Sequence, residues 1–303
     1  MNTTDLDSQI ISFIRRYLEV SGLSTATSVT QQRIDYEAMV RQFSYPHPQG
    51  MQTRDSRVCG RHGEIPLRHY RYKAGNAHAL ILFLHGGGFI LGSLDPHDDI
   101  CAELCAGTGF DLVSVDYRLS PEHYHPVHLD DVEDAFRACQ HDNIIVVGAS
   151  AGATLAAALG HRCQTAARKP AGQVLIYPSL GGDLFELDSY RDNAEAPLLS
   201  TADVRFYRSI RCADGELPLQ DPEFYPLVAS DFSGCPPTLA ISADIDPLRD
   251  DARLYVEKLQ AAGVTASWIN EIGLVHDYLR ARHVSRRAGA AFGRICEAIQ
   301  QLA

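Results

Sequence analysis

Residues 144–168 read IIVVGASAGATLAAALGHRCQTAAR. Ile144–Val147 is a short apolar run of the kind that forms a buried strand. Gly148-Ala149-Ser150-Ala151-Gly152 is a turn of small residues, and Ala151–Arg168 is an Ala- and Gly-rich stretch that, as a helix, could approach a sheet closely. A serine on such a strand-to-helix turn has its hydroxyl pushed outward, and small residues two before and two after it keep the strained backbone from clashing with its neighbours. The helix N-terminus would direct free N–H groups and the positive end of its dipole at the same place. An ordinary βα turn can also be rich in Gly and Ala. The apolar run before Ser150 and the helix after it favour the nucleophile reading.

Working outward, further apolar runs lie at Leu80–Leu84, Leu112–Val115, Val174–Tyr177, Thr238–Ser242 and Ser267–Ile269, and most of the gaps between them can hold a helix. That alternation predicts a mostly parallel sheet covered by helices on both faces. Ile65–Tyr72, with the weaker run Arg57–Arg61 before it and a turn near His62-Gly63, predicts a leading antiparallel hairpin. Asp250–Ala262, ending at Gly263, and Ser285–Gln301 place apolar residues at helical spacing and read as sheet-covering helices.

A second motif, His85-Gly86-Gly87-Gly88-Phe89, follows the run Leu80–Leu84 directly. Three consecutive glycines leave backbone N–H groups unshielded, as stabilisation of an oxyanion requires. A phosphate cradle would be accompanied by G-x-G-x-x-G or G-K-[ST], and neither is present. A serine nucleophile needs a base, and the base needs an orienting carboxylate. His276, in Gly273-Leu274-Val275-His276 after the last strand, is the candidate base. Asp244 and Asp246, after Thr238–Ser242, are both candidate acids at the end of the sheet where ligands bind. The order Ser, Asp, His distinguishes this arrangement from other triad orders.

The chain has 303 residues, 45% apolar, with 27 Lys+Arg against 38 Asp+Glu for a net charge of −11. Disorder is excluded by the apolar content, and a nucleic-acid partner by the lack of any basic concentration. No apolar run approaches a bilayer span, and the opening MNTTDLDSQIISFIRR carries acids where a signal peptide would carry bases, so a soluble, cytoplasmic protein is expected. The eight cysteines form no C-x-x-C pair and read as reduced thiols. Residues 1–45, with an amphipathic run of Leu6, Ile10, Phe13, Ile14, Tyr17 and Leu18, and residues 181–235, with a short helical stretch at Thr201–Cys212, stand outside the βα alternation. They are expected to form a small lid over a core of residues 46–180 and 236–303.

Other residues carry plainer readings. His123, His125 and His128 form H-x-H-x-x-H, but with no separate cluster of carboxylate ligands pointing to it, a surface or loop role is expected rather than a metal site. The pairs Asp98-Asp99, Asp130-Asp131 and Asp250-Asp251 read as solvated helix starts. Trp268 reads as a core residue, and Phe89 and Ile90 as pocket lining.

HGGGF at 85–89, DYRLSPEH at 116–123, GASAG at 148–152, DPLRDD at 246–251 and GLVH at 273–276 together resemble the hormone-sensitive-lipase-like family of α/β-hydrolase carboxylesterases, which includes bacterial acetyl esterases. The resemblance runs from about residue 70 to the C-terminus. It implies an α/β-hydrolase fold with a small helical cap and a catalytic set of Ser150, Asp246 and His276, the acid being the one that opens D-P-L. It also implies oxyanion donors at Gly87, Gly88 and Ala151, with Gly86 shaping the turn. The implied activity is hydrolysis of short-acyl carboxylic esters through an acyl-enzyme, on a small-molecule ester substrate, with no metal or organic cofactor. An acyltransferase or amidase would use the same residues, and a non-catalytic receptor for hydrophobic ligands is the remaining alternative. This chain departs from the family pattern at Ala149, where an acid is usual, at Tyr124-His125 in place of a Pro-Phe pair, and at Asp277-Tyr278, where a small residue and Phe are usual; these bear on substrate preference. The resemblance leaves oligomeric state open.

Overall fold

Among the residues described by the computed structural model (8–21, 28–73 and 78–303), eight strands form one sheet. They are β1 (Met51–Gly60), β2 (Gly63–Tyr72), β3 (Leu80–Leu84), β4 (Asp111–Val115), β5 (Ile144–Ala149), β6 (Gly172–Ile176), β7 (Thr238–Ile245) and β8 (Ala266–Val275), in the spatial order β1-β2-β4-β3-β5-β6-β7-β8. β1 pairs with β2 and β2 with β4 antiparallel, and every other neighbouring pair is parallel. This is the mostly parallel sheet that the alternation of apolar runs predicts, arranged as the α/β-hydrolase fold that the resemblance implies.

Because successive strand residues point to opposite faces, the central strands contribute to two separate cores. Ile81, Phe83, Ile145 and Val147 meet one face, covered by α1 (Ser8–Ser21), α2 (Val29–Arg41), α3 (Asp98–Thr108) and α9 (Arg286–Leu302). Leu82, Leu84, Ile144 and Val146 meet the other, covered by α4 (Val127–Ala138), α5 (Ala151–Arg162) and α8 (Arg249–Ala261). The segment 181–235 contributes the short helices α6 (Asp188–Asp192) and α7 (Thr201–Ser209). α7 is started by a reciprocal capping box between Ser200 and Asp203.

Several boundaries differ from the sequence reading. α5 stops at Arg162 rather than Arg168, because Gln164 turns its amide to the Asp231 carbonyl and Arg168 reaches back to the carbonyls of Arg137 and His141, bending the chain toward β6. β1 is far longer than Arg57–Arg61. As an edge strand it is mostly exposed on both faces, so no apolar alternation marks it. β8 runs on to Val275, which puts Gly273-Leu274-Val275 in the strand and His276 immediately after it. β6 ends at Ile176, one residue before Tyr177.

At the N-terminus, Ile10, Phe13 and Tyr17 are buried in the core. Leu18 is 58% exposed, because it turns toward a cavity rather than the sheet, and Leu6 lies outside the described residues. Trp268 is only half-buried on the flank of the sheet, where its indole N–H donates to Ser242 Oγ at 2.9 Å.

The paired acids do begin helices, but they are not solvated. Asp99 is bound by Arg282 at 2.6 Å, Asp130 by Arg162 at 2.7 Å and Asp131 by Arg118 at 2.5 Å, and Asp251 accepts the N–H groups of Leu180, Gly181 and Gly182. Each partner lies 13 or more residues away, beyond the reach of a helical or turn pattern, so no local pattern signals the burial.

Candidate active site

The motif-bearing turns all leave the sheet at the C-terminal ends of parallel strands. β3 and β5 are neighbours, so the glycine loop after Leu84 and the turn at Ser150 emerge side by side. Ser150 has φ 53° and ψ −116°, a conformation that non-glycine residues rarely adopt, and its N–H is held by the Ile176 carbonyl at 2.9 Å. The turn closes only because Gly152 has no side chain: a Cβ there would collide with the carbonyl oxygens of Leu84 and His85.

β8 lies three strands from β5, about 14 Å at the usual spacing of about 4.8 Å. His276 must therefore reach back over the ends of β7 and β6. A register shift between β7 and β8 at Ala243/Ile245 redirects the end of β8. Asp244 secures that irregularity, accepting from Asn270 Nδ2 at 2.8 Å and from the Gly273 N–H at 3.2 Å. Asp246, fully buried, turns instead to the imidazole: its Oδ2 lies 2.7 Å from His276 Nδ1, and its Oδ1 accepts the Leu248 N–H at 2.9 Å. His276 Nε2 is 2.9 Å from Ser150 Oγ, and the ring of Tyr177 packs 4.6 Å from the imidazole. The two acids that the strand reading could not separate thus face different partners.

The glycine loop has its own support. His85 stacks on Tyr117 at 4.3 Å, Tyr117 donates its hydroxyl to the His85 carbonyl at 2.7 Å, and burial lowers the His85 imidazole to about 4, so the ring is neutral. Its Nδ1–H then donates to the Gly86 carbonyl at 2.8 Å. Gly87, at φ 125°, could not carry a side chain, because a Cβ there would run into the Leu91 carbonyl. Ala151 is the first residue of α5, where the backbone N–H has no intrahelical acceptor.

Ser150, His276 and the glycines at 86–88 open into a cavity of about 290 Å³. α1 and α2 contribute Tyr17, Gln32 and Tyr36 to its walls, and the 181–235 segment contributes Leu198, Leu199 and Tyr207. Phe89 and Ile90 do not line it. Phe89 stacks under Arg211, 3.9 Å from the ring centroid, and Ile90 is fully buried in the sheet core; Leu91 lines the cavity in their place. A positive φ at Phe89 turns its side chain away from the site, which no residue pattern announces.

Sequence reasoning also missed the groups that support this geometry. Asn193 donates to the Asp246 carbonyl at 3.2 Å. Arg280, buried, donates to Asp277 Oδ2 at 2.8 Å, to Tyr36 Oη at 2.8 Å and to the Pro96 carbonyl at 3.0 Å. These contacts link residues up to 244 positions apart.

Of the three histidines at 123–128, His128 is buried in the first turn of α4, 3.0 Å from Ser120 Oγ, because its helix packs on the sheet; it is neither a surface nor a loop residue. His125 meets Asp221 at 2.9 Å, and Glu223 lies close by. Those carboxylates come from a distant segment and were not expected. They already have partners within the protein, since Glu223 grips Arg162 and Asp221 accepts the Glu223 N–H.

A hydroxyl–imidazole–carboxylate series with its carboxylate buried and its hydroxyl at the cavity, beside unshielded amides, can generate an alkoxide equivalent and stabilise the oxyanion it forms. Residues 81–280 match a family model described as the alpha/beta hydrolase fold. The chain is 32% identical to the carboxylic ester hydrolase LipN of Mycobacterium tuberculosis, covering 99% of this chain and 83% of that protein. It is 32% identical to an ethyl acetate hydrolase of Pseudomonas putida, covering 78% of each. The solved structure of a Pyrobaculum calidifontis esterase superposes with a TM-score of 0.87 at 28% identity, over 98% of this chain and 99% of that one. No helix among the described residues is long and apolar enough to cross a membrane.

Proposed function

The chain belongs to the hormone-sensitive-lipase-like branch of the α/β-hydrolases and is a carboxylic ester hydrolase, and from that premise we propose that Ser150, His276 and Asp246 carry the reaction on a short-acyl ester. The observation that carries the assignment is the continuous hydrogen-bonded series from Ser150 Oγ to His276 and from His276 to Asp246. His276 Nε2 takes the hydroxyl proton as Ser150 attacks the ester carbonyl. Asp246 holds the imidazole tautomer and stabilises the imidazolium, and the N–H groups of Gly87, Gly88 and Ala151 receive the oxyanion. His276 then protonates the leaving alcohol, and water releases the acid from the acyl-enzyme by the same steps in reverse order.

The supply of cavity walls by α1, α2 and the 181–235 segment supports a cap built from residues 1–45 and 181–235 over a core of 46–180 and 236–303. A cavity of about 290 Å³ with tyrosine, glutamine and aspartate in its walls supports short acyl groups. The eight free thiols support a reducing, cytoplasmic location. A fluorophosphonate should label the wild type and not Ser150→Ala, and para-nitrophenyl acetate should be hydrolysed in preference to the octanoate, with the palmitate poorest. Labelling of Ser150→Ala would overturn the nucleophile assignment, and a preference for palmitate would overturn the short-acyl reading.

A further inference from the structure

We propose that the cavity selects esters carrying a cationic group, an alkylammonium in the alcohol portion above all, and that Asp277 is the specificity-determining residue. The inference rests on the esterase reading and deepens it. Two carboxylates, Asp203 and Asp277, line the cavity together with Tyr17, Tyr36, Tyr177 and Tyr207, and among the described residues none that lines it is Lys or Arg. Besides His276, the remaining titratable nitrogen base in the wall is His97, which burial and the neighbouring Arg280 keep neutral.

Both carboxylates are fixed. Asp277 follows His276 directly in the left-handed conformation, at φ 58°, and lines the same cavity as Ser150 and His276. Its Oδ2 accepts from Arg280 Nε at 2.8 Å, and Arg280 is itself 1% exposed and tied to Tyr36 and Pro96. Asp277 lines the cavity and Arg280 does not, so the negative end of this pair is the one presented to substrate. Asp203 is held through Oδ2 by the N–H and hydroxyl of Ser200 at 2.8 and 2.7 Å, which anchors it on the first turn of α7.

Fixed carboxylates in a partly enclosed cavity attract a cation without reorganising. A quaternary ammonium has no N–H to leave unsatisfied and suits such a wall. An anionic ester faces like charge as well as loss of hydration, so half-esters of dicarboxylic acids should be poor substrates.

The test compares acetylcholine with its uncharged isostere, in which a quaternary carbon replaces the nitrogen, by kcat/KM. Wild type should favour the cation by about tenfold, the equivalent of about 1.4 kcal/mol. The preference should shrink severalfold in Asp277→Asn and, less, in Asp203→Asn, and it should decline as salt is added. A wild-type ratio at or below one overturns the inference, and so does a ratio unchanged in both variants. So does inactivity toward both esters in an enzyme that hydrolyses para-nitrophenyl acetate. Inactivity toward every ester tested would instead overturn the esterase reading beneath it.

Discussion

The floor and the walls of the cavity are built by different means. The floor consists of residues at strand ends: Ser150 after β5, Asp246 after β7 and His276 after β8, with spacings set by sheet pairing and by one register shift. The walls come from α1, α2 and the 181–235 segment, held by side-chain packing. Phe13 meets Phe43 edge-on at 5.2 Å, Tyr17 stacks on Phe43 at 5.9 Å, and Arg280 ties Tyr36 to Asp277. Backbone pairing leaves the floor little tolerance, whereas packed side chains can be exchanged with local cost. On the proposed mechanism, reaction chemistry belongs to the floor and substrate choice to the walls, and the departures from the family pattern at Asp277-Tyr278 fall where the two meet.

The strongest challenge to that division is at the floor. Ser150→Ala should lower kcat by on the order of 10⁴–10⁶ with the circular-dichroism spectrum unchanged. Near-normal turnover would move the chemistry elsewhere.

The two aspartates of the β7 end sharpen the comparison within the floor itself. Asp246→Asn should lower kcat by on the order of 10⁴, because an amide in that position favours the wrong imidazole tautomer. Asp244→Asn should change kcat less than tenfold while lowering the unfolding free energy by about 1–3 kcal/mol, since it weakens the bonds to Asn270 and Gly273 that hold the register shift. Kinetics and denaturant titration of the two variants would check this, and equal kinetic losses would erase the distinction.

The scaffold beneath both regions responds to pH rather than to a single substitution. Burial lowers His85 and His161 to about 4 from the usual 6.5, so both stay neutral in the folded protein while the unfolded chain takes up protons below pH 6.5. Their contribution is complete above pH 6.5 and is lost as pH falls toward 4, by on the order of 3 kcal/mol for each. Burial of His97 and His128 acts in the same direction. Asp251 and Asp116, raised by burial to about 6, gain stability over pH 6 to 4 and offset part of the loss. Urea titrations between pH 7 and 4 should show a net decline, and His161→Gln should make it shallower; a slope identical to wild type would remove His161 from the account.

Much of the floor was legible because it is written locally. Gly148–Gly152, His85–Gly88 and the apolar runs before them specify turn and strand within a few residues, and the C-terminal ends of parallel strands must then face one side. Phe89 and Ile90 failed as lining residues because a single positive φ decides which way the chain turns after the glycines. The buried acids at 99, 131 and 251 read as solvated because their partners, Arg282, Arg118 and the amides of Leu180–Gly182, lie on other elements of the fold, beyond any helical spacing.

Sequence alone determined the mostly parallel sheet, the serine turn and the glycine loop, since each depends on backbone preferences of contiguous residues, and it singled out His276 by its place after the last strand. On the residues alone, without the family resemblance, Asp244 and Asp246 stood as equals. Tertiary structure alone decided which of them meets His276, which side chains wall the cavity, and that Arg280 backs Asp277 from behind the wall. Those outcomes depend on register shifts and on contacts between segments tens to hundreds of residues apart, where the free energy of packing, not local propensity, sets the geometry.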